Sequence, residues 1–78
     1  MKTAILYTDG GQESERLRQL LMSLGEEYLE YLLGVDFSDR QFRAEFGSEA
    51  QYPQVSIDYQ HIGGLKDTLQ YLNKQGLI

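Results

Sequence analysis

Seventy-eight residues without a single cysteine must be held together by packing alone. No disulfide can close a loop, and no thiolate can hold a structural zinc. His61 is the only histidine, so any metal site would have to be built from carboxylates, and no metal ligand set is expected. A chain of this length buries only about 60–65% of the surface its unfolded form exposes. That leaves room for one core, and we expect a single domain over residues 1–78. Apolar residues make up 41% of the chain, enough to build it. The formal net charge of −5 argues against a nucleic-acid surface, which would carry a basic stripe. No run of about 18 apolar residues exists, so no membrane span is expected. The opening Met1-Lys2-Thr3-Ala4-Ile5-Leu6-Tyr7 has too short an apolar stretch for a signal peptide. A cytoplasmic monomer is the expectation.

Thr3 to Tyr7 reads as a short strand that runs into the glycine turn Asp9-Gly10-Gly11. Glu13 to Leu24 is the clearest helix. Leu17, Leu20, Leu21 and Leu24 fall on one stripe, Arg16, Arg18 and Gln19 on the other face, and Gly25 stands where a helix C-terminus wants glycine. Glu27 to Leu33 reads as a second strand. Its nearly continuous apolar residues predict a strand covered on both faces. Ser38-x-x-Gln41 is a capping box that opens a second helix, and Phe42 and Phe46 would point inward from it. Gln54 to Ile57 and Gln60 to Ile62 are strands around a turn at Asp58-Tyr59. Gly63-Gly64 leads into a last helix from Leu65 to Lys74, with Leu65, Leu69 and Leu72 on one face. Glu13, Glu15, Glu26 and Glu27 read as solvated charges. Tyr28, Tyr31, Phe37, Phe42 and Phe46 read as core.

The order is β-α-β-α-β-β-α. A strand, helix and strand in sequence imply a parallel pair with a right-handed crossover, and the late hairpin adds an antiparallel pair. The expected fold is α/β: a four-stranded mixed sheet with three helices, covered on both faces. This is the thioredoxin-like arrangement.

The segment Gln51-Tyr52-Pro53-Gln54-Val55-Ser56-Ile57-Asp58-Tyr59-Gln60-His61-Ile62-Gly63-Gly64 resembles the glutaredoxin pattern Thr-Val-Pro-Gln-Val-Phe-Ile-Asp-Gly-x-His-Ile-Gly-Gly. Asp67 falls where that family usually has an aspartate. Leu6-Tyr7-Thr8, the leucine-rich first helix and Phe46-Gly47 add to the likeness, which is nearest to small phage or bacterial glutaredoxins. The resemblance implies a cis-proline at Pro53 and a groove whose ligand-binding residues are Tyr52, Pro53, Gly63, Gly64, Lys66 and Asp67. In it the backbone of Tyr52 would pair with glutathione or an extended peptide. Gly64, Lys66 and Asp67 would hold the γ-glutamyl end of glutathione, with Asp67 facing its ammonium. Read without the resemblance, Gly63-Gly64 is a tight turn and Asp67 a favourable first-turn charge.

The departure lies where the family carries Cys-Pro-Tyr-Cys. Here those positions are Gly11-Gln12-Glu13-Ser14, after a loop one residue shorter. Gly11 or Gln12 stands in place of the nucleophilic cysteine, and Ser14 in place of the second one. Thiol–disulfide exchange needs a thiolate attacking a disulfide sulfur. A helix N-terminus favours a thiolate, but it cannot activate a serine hydroxyl without a base beside it. Ser14 has no histidine partner in the sequence, so it reads as a polar residue opening the helix. No catalytic residue and no required cofactor are assigned. The same absence removes iron–sulfur ligation.

The reading is a glutaredoxin-like protein without dithiol catalysis that binds glutathione weakly, or an extended peptide of a partner protein, at the Pro53 loop. Tyr7, Tyr52 and Tyr59 read either as ordinary amphipathic surface or as an interaction surface beside it. The alternative is a thiol–disulfide oxidoreductase, an electron donor to enzymes such as ribonucleotide reductase, seen in a cysteine-free form or with serine for cysteine at position 14. A purely structural subunit is a third reading.

Overall fold

A computed structural model of the chain describes residues 3–25 and 27–78. Met1 and Lys2, and Glu26 with its reading as a solvated charge, lie outside them. The elements follow the expected order: β1 (Ala4–Thr8), α1 (Gln12–Ser23), β2 (Tyr28–Leu32), α2 (Asp39–Phe46), β3 (Gln54–Ile57), β4 (Gln60–Gly63) and α3 (Leu65–Lys74). The sheet runs β2-β1-β3-β4. β1 pairs parallel with β2 and antiparallel with β3, and β3 pairs antiparallel with β4.

Period-two alternation along β1 buries Ala4, Leu6 and Thr8 on one face and half-buries Ile5 and Tyr7 on the other. Ala4 and Leu6 join Val55 and Ile57 of β3, Leu17 and Leu21 of α1 and Leu72 of α3 in the core. Each buried leucine contributes about 1.5–3 kcal/mol. α1 is amphipathic because Ser14, Leu17 and Leu21 repeat on one stripe. It ends as the sequence suggests: Gly25 has φ +71, and its amide bonds the Met22 carbonyl at 3.1 Å.

α3 differs from its expected face. Leu69 is 39% exposed, and Thr68 is fully buried in its stead. The Thr68 hydroxyl donates to the Gly64 carbonyl one turn back, at 2.7 Å, so a polar residue can take an inward position at no unsatisfied cost. The buried stripe therefore runs through Thr68 and Leu72, with Leu65 and Tyr71 packed beside it.

β2 also departs from expectation. It is an edge strand, and Leu29 and Leu32 are 49% and 37% exposed. Its apolar run reflects strand-forming side chains at a sheet margin, not cover on both faces. The helices do lie on both sides of the sheet, but unequally. α1 and α3 share the core face, while the short α2 stands alone over the other.

α2 begins with the capping box: Ser38 Oγ accepts from the Gln41 amide at 3.1 Å, and Gln41 Oε1 accepts from the Ser38 amide at 2.8 Å. Its Phe42 and Phe46 meet Tyr7, Tyr31 and Phe37 in an aromatic cluster apart from the main core. Of these rings only Phe42 is fully enclosed, at 2% exposed; Tyr28 packs against the main core instead.

Candidate functional site

The four positions of the missing redox motif open α1. Gly11 is its N-cap, extended at φ −78 and ψ 178, and offers no side-chain cap. Asp9 braces this turn from outside the helix. Its Oδ1 accepts the Gly11 amide at 2.9 Å and the Ser14 hydroxyl at 3.2 Å. The Thr8 hydroxyl accepts the Gly10 amide at 2.9 Å and fixes the approach to this turn. A carboxylate thus stands at the positive end of a helix, a position that favours an anion. Sequence reasoning missed Asp9. The available signal was an aspartate two residues before a helix cap, the spacing of an Asx-turn.

The same geometry settles what Ser14 can do. It is 3% exposed, and its hydroxyl proton is committed to Asp9. No imidazole is near it in hydrogen-bonding terms: His61 Nε2 is paired with Gln54 Oε1 at 2.6 Å. Gly11, Gln12 and Glu13 are exposed, but none of them is a nucleophile of the required kind.

Beside the α1 start lies an open groove of about 220 Å³. Tyr52, Pro53, Gly64, Lys66 and Asp67 line it, together with Glu13, Gln51, Gln54 and Leu65. Five of the six residues expected to bind a ligand therefore share one concavity, and Gly63 is buried beneath it. Glu13, Gln51, Gln54 and Leu65 were not singled out as ligand-binding residues; only their place in the fold brings them here.

The Tyr52–Pro53 peptide bond is cis. Tyr52 lies outside the strands, and its amide and carbonyl make no backbone hydrogen bond among the described residues. Across the groove, α3 starts at Gly64, which has no side-chain cap, so its first-turn amides are without intrahelical partners. Gly63 has φ +132, and the Asp67 side chain lies directly over it. A methyl group added at Gly63 would sit 2.8 Å from Asp67 Cβ and 2.9 Å from Cγ. Gly63 thus serves two needs: a backbone angle L-residues rarely adopt and room for Asp67.

The ring of Tyr52 is spent elsewhere. It stacks on Phe42 at 4.0 Å and 20°, and its hydroxyl donates to Asp39 Oδ1 at 3.0 Å. Burial, then the Asp39 hydrogen bond, pushes the Tyr52 hydroxyl up to about 12. Asp39 is held below the usual carboxylate range, chiefly by this tyrosine and next by Arg43, whose Nε donates at 3.2 Å. Arg43 also donates to the carbonyls of Ser48 and Ala50, and so ties the segment leading into Tyr52 to α2. The three tyrosines weighed as an interaction surface are not alike. Tyr7 and Tyr52 are half-buried, and only Tyr59, at 89%, stands in solvent.

Glu13 and Asp67 give the groove two carboxylates against the single ammonium of Lys66. Among the described residues, no group of histidine, aspartate and glutamate side chains is placed to hold a metal ion.

No family model matches this chain, and no curated protein matches its sequence. Its structure does find a likeness. The three-dimensional structure of reduced Escherichia coli glutaredoxin superimposes with a TM-score of 0.76 at 18% sequence identity, over 92% of this chain and 94% of that one. With β2-β1-β3-β4 strand order, helices on both faces and a chain free of cysteine, the protein has the thioredoxin-like fold in its glutaredoxin form, without the redox atom.

Proposed function

We propose that this protein is a binding module that captures an extended peptide of a partner protein in the groove at Tyr52–Pro53, without thiol–disulfide chemistry. The observation that carries the reading is the backbone of Tyr52. Its amide and carbonyl make no hydrogen bond among the described residues and lie beside an open groove, while its ring is anchored inward by Phe42 and Asp39. An extended peptide laid beside Tyr52 would take up those two groups, as in strand addition. The amides at the start of α3 would receive a carboxylate of the ligand.

Weak glutathione binding in the same groove is the second reading, favoured by the place of Asp67 beside those amides. Charge works against it. At neutral pH glutathione carries one net negative charge, and the groove carries two carboxylates and one ammonium. We therefore rank a peptide ahead of glutathione. The protein would act as a monomer in the cytoplasm.

The test is an NMR titration of the protein with reduced glutathione, oxidised glutathione and a set of short extended peptides. Saturable amide shifts grouped at Tyr52, Gly64 and Asp67 support the groove. Peptide shifts at lower concentration than glutathione shifts support the ranking. Absence of shifts at high millimolar ligand would remove both readings and leave the structural-subunit role.

A further inference from the structure

The face of the sheet under α2 holds a second pocket, of about 220 Å³, separate from the groove. Its walls are aromatic. Tyr7 stands against Tyr31 at 5.6 Å and 57°, against Phe37 at 5.6 Å and 76°, and against Phe46 at 5.0 Å and 66°. These contacts gather four aromatic side chains around one small volume. Its charged lining is of one sign: Asp36 and Glu45, with Gln41 the only other polar side chain besides the tyrosines. Asp36 is held in place by accepting the Leu32 amide at 2.8 Å. Glu45 is exposed and makes no hydrogen bond or ion pair among the described residues. Among the described residues, no lysine or arginine lines the pocket.

We propose that this pocket binds an alkylammonium head group. The argument is one of complementarity. Aromatic faces attract a cation through the ring quadrupole, most strongly where water is displaced, and aromatic cages select quaternary ammonium for this reason. The two carboxylates of the lining add Coulomb attraction. An anion would meet two like charges, and a neutral apolar ligand would leave them unused. One ring of the lining, Phe42, already lies near a cation, with the Arg43 guanidinium 5.9 Å from its centroid. The volume is below the roughly 300 Å³ at which pockets begin to enclose drug-sized ligands. It suits a head group better than a whole cofactor. Burial, then Glu45, raises the Tyr7 hydroxyl above its ordinary value, as expected of a phenol facing that carboxylate.

Tetramethylammonium chloride is the probe, with neopentyl alcohol as a neutral counterpart of similar shape and sodium chloride as the ionic-strength control. We expect saturable NMR shifts of the Tyr7, Tyr31 and Phe46 ring protons with the cation. The alcohol should bind about fivefold or more weakly. Glu45→Gln, at an exposed residue without a hydrogen bond, should fold normally by circular dichroism and weaken the cation about two- to fivefold. Tyr31→Leu should weaken it further. A trimethyl-lysine peptide separates the sources: tighter binding than tetramethylammonium assigns the head group to a protein side chain, and equal binding assigns it to a free cation. The proposal fails if no ring shift saturates at high millimolar cation, or if the alcohol binds as tightly as the ammonium. Neither failure touches the groove, whose reporters are backbone amides of other residues.

Discussion

Asp9 and Ser14 show how a single side chain redirects a site. A carboxylate and a buried hydroxyl meet at the start of α1, at the positions where the glutaredoxin pattern carries cysteine. This makes two cysteine substitutions unequal. Both lie beside Asp9, but cysteine at Ser14→Cys would be buried, which shields it and disfavours its thiolate. We expect it to resist iodoacetamide in the native state. Cysteine at Gly11→Cys would be exposed at an ordinary φ of −78, with Asp9 Oδ1 3.0 Å from its Cβ as the one neighbour to give way. We expect it to react readily. Equal alkylation rates would overturn this account of the site. A second prediction concerns the hairpin turn. Asp58 and Tyr59 both have positive φ, at 51° and 69°. Aspartate tolerates this region, whereas an aromatic residue does not. Tyr59 is 89% exposed and has little packing to lose. Tyr59→Gly should therefore stabilise the protein by up to about 1 kcal/mol, read as an upward shift of the urea midpoint. A downward shift would mean that Tyr59 has a native contact of value.

Among the elements, α2 has the least support and the most consequence. It spans only Asp39–Phe46, and it alone covers its face of the sheet. An eight-residue helix does not hold itself, so its cap and its aromatic contacts must. Ser38→Ala should cost about 1 kcal/mol. It should also shift the Tyr52 and Pro53 signals in NMR spectra, because Phe42 and Asp39 of this helix carry the Tyr52 ring. Loss of stability with no change at Tyr52 would uncouple α2 from the groove. Much of this was legible beforehand. The capping box is a local pattern that any helix start must satisfy, and Phe42 lies on the inward side that it predicts. Leu69 was not legible. Positions 68 and 69 both border the apolar face, and which one turns inward depends on how α1 and β4 meet α3.

For the whole molecule, protonation should link the groove to stability at both pH extremes. Tyr52 has an ordinary value of 10.0 and a folded one of about 12, so between those values the native state holds more protons than the unfolded state. Its contribution is complete below pH 10 and is lost as pH rises toward 12. Asp39 has the opposite sign. Its folded value lies below the ordinary 3.8, so its contribution is present above that pH and fades as pH falls through the folded value. Denaturation midpoints across the pH range should show both declines, and Tyr52→Phe should reduce each. If the variant keeps the wild-type alkaline decline, Tyr7 and Tyr28, which burial also raises, carry it instead. Local information in the sequence determined the strand and helix order, the helix caps, and the tight backbone at Gly63-Gly64, because periodicity and turn chemistry act between near neighbours. Only the tertiary structure decided that β2 would be an edge, that the Tyr52 ring would turn inward, and that an acidic aromatic pocket would open under α2. Those outcomes rest on contacts between segments distant in the chain, where several faces are equally apolar and the fit of one element against another selects among them.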